Sequence, residues 1–255
     1  MELVLLTALG VGGATVVGAL LGFVFKKPSH RLNDMILSFA AGVMLAAAVV
    51  GLILPSLEHG GGGLLSLLVT AAGILAGALC LNLIDRLVPH LHKLTGAEPE
   101  AHPDKTAQLN KVLLFVIAIA IHNLPEGIAA GVSFGSDNIT EALTVAGGIA
   151  LQNIPEGMVI IAPMIASGIS RPRTLVIALL TGVVEVVGTL VGYLAVSVSA
   201  AILPFALAFA GGTMLYVISD EMIPETHAHG NERAATYTLL LGFIVMLAFD
   251  VLLGS

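Results

Sequence analysis

The chain has 255 residues, of which 57% are apolar and 11% charged, with a mean hydropathy of +1.01 and a net charge of −7. A soluble domain carries about 25% charged residues, so too little polar surface is available here to cover a water-soluble globule. The single Cys80 excludes an internal disulfide, and the acidic balance comes from loop and site carboxylates, which gives no argument for nucleic-acid binding.

Eight apolar segments follow one another: Leu3–Phe25, Met35–Leu54, Leu64–Leu83, Val112–Phe134, Ala142–Ala166, Thr174–Val198, Ile202–Ile223 and Ala234–Leu253. Each has about the 17–25 residues that a helix needs to cross a bilayer. The expectation is one all-α membrane domain over residues 1–255. The junction at Ser199, Ala200 and Ala201 is the shortest and least polar. The first segment lacks a basic flank before it and is long enough to span, so a cleavable signal is not expected.

All ten basic residues fall in alternate connections. Lys26, Lys27 and Arg31 follow the first segment; Arg86, Lys93, Lys105 and Lys111 the third; Arg171 and Arg173 the fifth; Arg233 the seventh. The positive-inside rule then places both termini outside the cytoplasm, in the cell (inner) membrane. Thr95–Asn110 is polar and poorly periodic, which predicts a cytoplasmic loop over about residues 94–110.

An internal repeat is legible. Val16-Val17-Gly18-Ala19-Leu20-Leu21-Gly22-Phe23 matches Val186-Val187-Gly188-Thr189-Leu190-Val191-Gly192-Tyr193, and Phe39-Ala40-Ala41-Gly42-Val43-Met44-Leu45 matches Phe209-Ala210-Gly211-Gly212-Thr213-Met214-Leu215, both at an offset of 170. Segments one and six enter the membrane from opposite sides, so the repeat is inverted. Inverted repeats around a midplane site recur in secondary transporters.

Two phrases sit deep in segments four and five: His122-Asn123-Leu124-Pro125-Glu126-Gly127 and Gln152-Asn153-Ile154-Pro155-Glu156-Gly157. In each, the first residue and the Glu are i and i+4, and the Asn and the Glu are i and i+3, so all three share a helix face. Counting along the segments puts both phrases, Glu185 and Met44 near the bilayer centre. A charge there costs about 2.5–3.5 kcal/mol on insertion scales, so such groups are usually functional. One imidazole, three carboxylates and three side-chain amides, with the Met44 thioether, form the candidate ligand set. Three carboxylates do not cluster ionised in low dielectric without a cation. The mixture of nitrogen and oxygen donors suits a borderline divalent ion such as Zn²⁺ or Fe²⁺. Glu126 and Glu156 are expected to bridge two metal positions. Pro125 and Pro155 free the carbonyls of Ile121 and Leu151 and are expected to kink their helices.

A second group of polar residues lies toward the cytoplasmic face: Asp85, His90, His92, His102, Asp220, Glu221, Glu225, His227 and His229, with His30 nearby. Asp85, His90, His92, Asp220, Glu221, His227 and His229 are the candidate exit path. Outside, Glu58, His59, Asp137 and Glu141 are placed to attract cations.

These phrases, the eight spans and the histidines after segment three resemble the ZIP (Zrt/Irt-like) family of divalent metal transporters, in its bacterial, GufA-like branch. The resemblance implies eight helices in a 3+2+3 inverted-repeat arrangement, and import of zinc or of iron, cadmium, manganese or cobalt by an elevator-like movement. It implies a binuclear site. One position uses His122, Glu126, Gln152 and Glu156 with Met44; the other uses Asn123, Glu126, Asn153, Glu156 and Glu185. Some members carry Asp where this chain has Asn153, a change that removes a charge from the second position. The metal is cargo, no organic cofactor is expected, and the implied partners are divalent ions and lipid, with a homodimer left open. The rival readings are an intramembrane metal-dependent hydrolase, for which an HExxH pattern is missing, and a sensor whose metal never crosses.

Overall fold

The computed structural model describes residues 1–24, 29–87, 120–136, 138–166 and 168–253. Among these, eight helices follow one another: α1 (Glu2–Gly22), α2 (His30–His59), α3 (Gly63–Leu87), α4 (120–133), α5 (Ile139–Ala166), α6 (Arg171–Val198), α7 (Leu203–Thr226) and α8 (Glu232–Leu253). All but α4 are long and apolar enough to cross a membrane. The loop over about 94–110 and the first part of segment four lie outside the described residues, as do Lys26, Lys27, His90, His92, His102 and Asp137.

Local chemistry sets the helix ends. The Ser29 hydroxyl accepts from the Leu32 amide at 3.2 Å and starts α2. Asn138 Oδ1 accepts from the Thr140 and Glu141 amides and starts α5. Between α2 and α3 the chain reverses through Gly61, Gly62 and Gly63, with φ of 79°, 72° and 77°, a conformation open to glycine at little cost. The short junction before α7 is an extended Ser199 followed by a single 3₁₀ turn, Ala200–Ile202.

α4 and α5 run as α-helix through Pro125 and Pro155. Among the described residues, π turns form in α2 and α7, at Val49–Ile53 and Ile218–Met222. In each the next amide reaches back five residues: Leu54 N–H to the Val49 carbonyl, and Ile223 N–H to the Ile218 carbonyl. In each case a proline stands one residue further on, Pro55 after Leu54 and Pro224 after Ile223. A proline removes one N–H and crowds the preceding turn, and a π turn relieves that crowding by widening the ring.

Lipid is as apolar as leucine, so spanning helices associate through small residues that let backbones approach. The closest approaches fall into two groups. In α1, α4, α5 and α6, a Cβ added to Gly12 would strike the Gly182 carbonyl and one added to Gly182 would strike the Gly12 carbonyl. Gly18 lies on the Ile154 carbonyl, Gly157 on Thr15, Gly127 on Glu185 and Gly188 on Leu124. In α2, α3, α7 and α8, Gly42 lies on the Leu239 carbonyl, Gly242 on Phe39, Gly212 on Ile74 and Gly77 on Phe209. Contacts between the groups have another character. Gly51 meets the Val145 side chain, Gly147 the Phe249 ring, and Gly148 the Met246 thioether and Ala47 methyl. Backbone thus locks on backbone within each group, while these glycines meet side chains across the divide.

Candidate metal site

The two phrases face each other from α4 and α5. Asn123, Glu126, Gln152 and Asn153 are buried, as is Glu185 on α6. Glu126 lies near Glu156 and Gln152, and Glu156 in turn lies near His122 and Glu221. The carboxylates of Glu126 and Glu156 are also the charges nearest Glu185. The three acids predicted from sequence therefore share one neighbourhood inside the helix bundle.

Glu185 is held by three donors from three helices. Thr15 Oγ1 on α1 donates to its Oε1 at 3.1 Å, Asn123 Nδ2 on α4 donates to the same oxygen at 2.7 Å, and Asn153 Nδ2 on α5 donates to Oε2 at 2.9 Å. Asn153 Nδ2 also reaches the Val11 carbonyl at 3.3 Å, while Asn153 Oδ1 accepts from Gln152 Nε2 at 2.8 Å. The buried amides are thus strung together.

Among the described residues, four buried side-chain oxygens have no hydrogen-bond partner: Ser38 Oγ on α2, and Asn123 Oδ1, Glu126 Oε2 and Gln152 Oε1. A buried polar atom without a partner costs about 1–3 kcal/mol. The last three are amide and carboxylate oxygens that act as acceptors, and all three belong to the paired phrases. A cation satisfies acceptors, whereas another acceptor does not.

His122 is half-buried, and its Nε2 lies 2.9 Å from Glu221 Oε1 on the π turn of α7. The imidazole expected to ligate the ion therefore touches a residue expected on the exit path. Met44 is buried on α2 in the apolar core that also holds Ala40 and Met214. Among the described residues, no three His, Cys, Asp or Glu side chains stand close enough to enclose one ion.

The remaining candidates separate. Asp220 lies beside Glu221 in the π turn, and Asp85 is in the last turn of α3. His227 is occupied within its own turn, with Nδ1 at 2.8 Å from the Ile223 carbonyl and Nε2 at 3.2 Å from Thr236 Oγ1. His229 Nδ1 bonds Asp34 Oδ1 at 3.0 Å, Asn231 Nδ2 donates to Asp34 Oδ2 at 2.9 Å, and the His229 ring stacks on His30 with centroids 5.0 Å apart. This cluster pins the α7–α8 turn to the start of α2.

Two contacts escape the sequence reading. Thr15 is not among the candidates, although it aligns with Glu185 at the repeat offset of 170. Glu221 falls on the expected exit path but not against His122, because the π turn shifts the side-chain register along α7.

A bundle of apolar helices with an acidic, amide-lined centre is the architecture of a polytopic membrane protein that handles cations. The sequence model of the ZIP Zinc transporter family matches residues 90–250. The chain is 44% identical over 254 residues to "Zinc transporter GufA" of Myxococcus xanthus, covering 98% of both chains. It is 40% identical over 246 residues to "Zinc transporter ZIPB" of Bordetella bronchiseptica, covering 94% of this chain and 78% of that one. It is 32% identical over 323 residues to human "Zinc transporter ZIP11", covering 95% and 94%. The chain belongs to the ZIP family and is an integral membrane protein.

Proposed function

We propose that this protein carries divalent transition-metal cations, zinc first among them, across the inner membrane into the cytoplasm. The observation that carries the reading is the set of three buried acceptor oxygens without donors, Asn123 Oδ1, Glu126 Oε2 and Gln152 Oε1, beside the Glu126–Glu156 pair. The names of its relatives agree with it. As a ZIP family member the chain is a transporter and not an enzyme.

We assign the primary ion position to His122, Glu126, Gln152 and Glu156, with the Met44 thioether as a further candidate; these side chains must draw together on the ion, since among the described residues no three His, Cys, Asp or Glu groups enclose one here. The His122–Glu221 contact is a competitor for the ion. Metal must displace Glu221 from Nε2 to gain the imidazole, and Glu221 can reclaim the ring as the ion leaves. Release then runs past Asp220 and Glu221 toward the face bearing the basic loops, with Asp85, His90, His92, His227 and His229 as further candidates.

The 3+2+3 inverted repeat is supported by glycines 170 residues apart that make matching backbone contacts with paired helices. Gly18 on Ile154 is matched by Gly188 on Leu124, and Gly42 on Leu239 by Gly212 on Ile74. The elevator-like movement is supported by the division of packing. One group, α1, α4, α5 and α6, holds the site and is locked by backbone contacts. It meets the other group through side chains at Gly51, Gly147 and Gly148, contacts that can slide.

Uptake of radioactive zinc into proteoliposomes tests the reading. Glu126→Ala and His122→Ala abolish uptake while the protein stays folded; wild-type uptake by both removes this site from the mechanism. Cleavage of a peptide or lipid in a metal-dependent way would revive the hydrolase alternative.

A further inference from the structure

Glu185 stands among the candidate ligands, yet its oxygens are already engaged. Oε1 takes Thr15 and Asn123, and Oε2 takes Asn153, at 2.7–3.1 Å. In all three bonds the Glu185 carboxylate is the acceptor. It therefore fixes which end of each facing amide points toward it: the nitrogen of Asn123 and the nitrogen of Asn153. Asn123 Oδ1 is thereby turned away, and it is one of the oxygens without a donor. The same choice propagates through Asn153. Its oxygen faces Gln152 and takes Gln152 Nε2 at 2.8 Å, which leaves Gln152 Oε1 as another oxygen without a donor. One carboxylate thus sets the direction of three amides, and two of them end in an acceptor with nothing to accept.

We infer that Glu185 is a positioning residue rather than an ion ligand, and that this chain binds one ion at its site instead of two. The inference rests on the metal-transport reading above. It reassigns Asn153 and Glu185 from a second ion position to a hydrogen-bonded frame behind the first, and gives the Asn123 oxygen to the single ion. Asn123 Oδ1 and Gln152 Oε1 are the atoms this frame presents to the ion. Outer partners of this kind orient the groups that touch a metal, and losing one typically weakens binding about 10–100-fold.

Asn153 decides the matter. Its amide supplies the hydrogen that bonds Glu185 Oε2. An aspartate there has no hydrogen to give, and two carboxylate oxygens would then face each other across the 2.9 Å now spanned by that bond. Buried carboxylates at this separation share a proton or hold a cation between them, and zinc in excess competes with the proton for that place. Asn153→Asp therefore opens a second ion position, while the introduced carboxylate still accepts from Gln152.

The test is equilibrium binding of radioactive zinc to the full chain in detergent. Site ions are counted as the difference from Glu126→Ala, so that zinc held by loop histidines cancels. The wild type is expected to hold one site ion, and Asn153→Asp two. Glu185→Gln is expected to keep one ion, bound about 10–100-fold more weakly. Two site ions on the wild type, a single one on Asn153→Asp, or wild-type zinc affinity in Glu185→Gln overturns the inference. No difference between wild type and Glu126→Ala would instead sink the transport site itself.

Discussion

Thr15 Oγ1 donates to Glu185 Oε1 at 3.1 Å, joining two residues 170 positions apart in the chain. That separation is the offset at which segments one and six align. Gly12 and Gly182, at the same offset, meet backbone to backbone between the same two helices. Each residue of these pairs faces its own counterpart, as happens close to a twofold relation between two halves. At Gly12 and Gly182 the counterparts are identical. At Thr15 and Glu185 one is a hydroxyl and the other a carboxylate, so the chemistry has diverged where the site begins.

Thr15→Val keeps the shape of the side chain and removes one donor from a buried carboxylate. Hydrogen bonds to charged groups are worth about 1.5–3 kcal/mol, and the variant should lose stability in that range. Thermal unfolding in detergent measures it. Zinc stoichiometry should not change, because Asn123 and Asn153 still direct Glu185. A melting temperature equal to that of the wild type would mean that Thr15 adds nothing to the frame.

Glu221→Ala removes the competitor for His122 Nε2, which lies 2.9 Å from Glu221 Oε1. A hydrogen bond of this kind contributes about 1 kcal/mol net, so zinc should bind roughly five-fold more tightly. Release should slow, and the maximal rate of uptake should fall with it. Titration of zinc into the purified protein, set beside proteoliposome flux, reads both quantities. Weaker binding instead would make Glu221 a ligand.

Glycine positions on α1 and α5 should sort by what they face. Gly157→Ala drives a methyl into the Thr15 carbonyl, whereas Gly13→Ala meets nothing within 4 Å. Overpacking of this kind costs about 1–3 kcal/mol. The first variant should therefore unfold at a lower temperature and the second should match the wild type. Equal melting temperatures would remove backbone approach as the glue of this helix group.

Much of this arrangement is legible in the chain because the bilayer restricts what can be built. Apolar length fixes the spans, and polar residues at the midplane are too costly to be incidental, so the phrases at His122–Gly127 and Gln152–Gly157 stand out. What escapes depends on backbone geometry or on weakly marked residues. Pro125 and Pro155 draw attention as kink sites, while nothing in the sequence marks the π turns of α2 and α7, ahead of Pro55 and Pro224. Threonine is common in apolar helices, so Thr15 carries no mark of its own. The direction of the buried amides is also hidden, since Asn and Gln offer a donor or an acceptor and only their neighbours decide which.

The side-chain seam between the two helix groups invites a direct test of movement. A Cβ built on Gly51 of α2 lies 3.7 Å from Val145 Cβ of α5. Disulfides span Cβ separations of about 3.5–4.5 Å, and the only native cysteine, Cys80, can be replaced by serine. Gly51→Cys combined with Val145→Cys in that background should cross-link under mild oxidation. If the group bearing Glu126 and Glu156 must slide past α2 to expose the ion to the other side, the oxidised protein should still bind zinc but cease to transport it. Reduction should restore flux. Full uptake by the oxidised, verified cross-link would mean that α2 and α5 keep this contact throughout the cycle, and the elevator-like reading would fall.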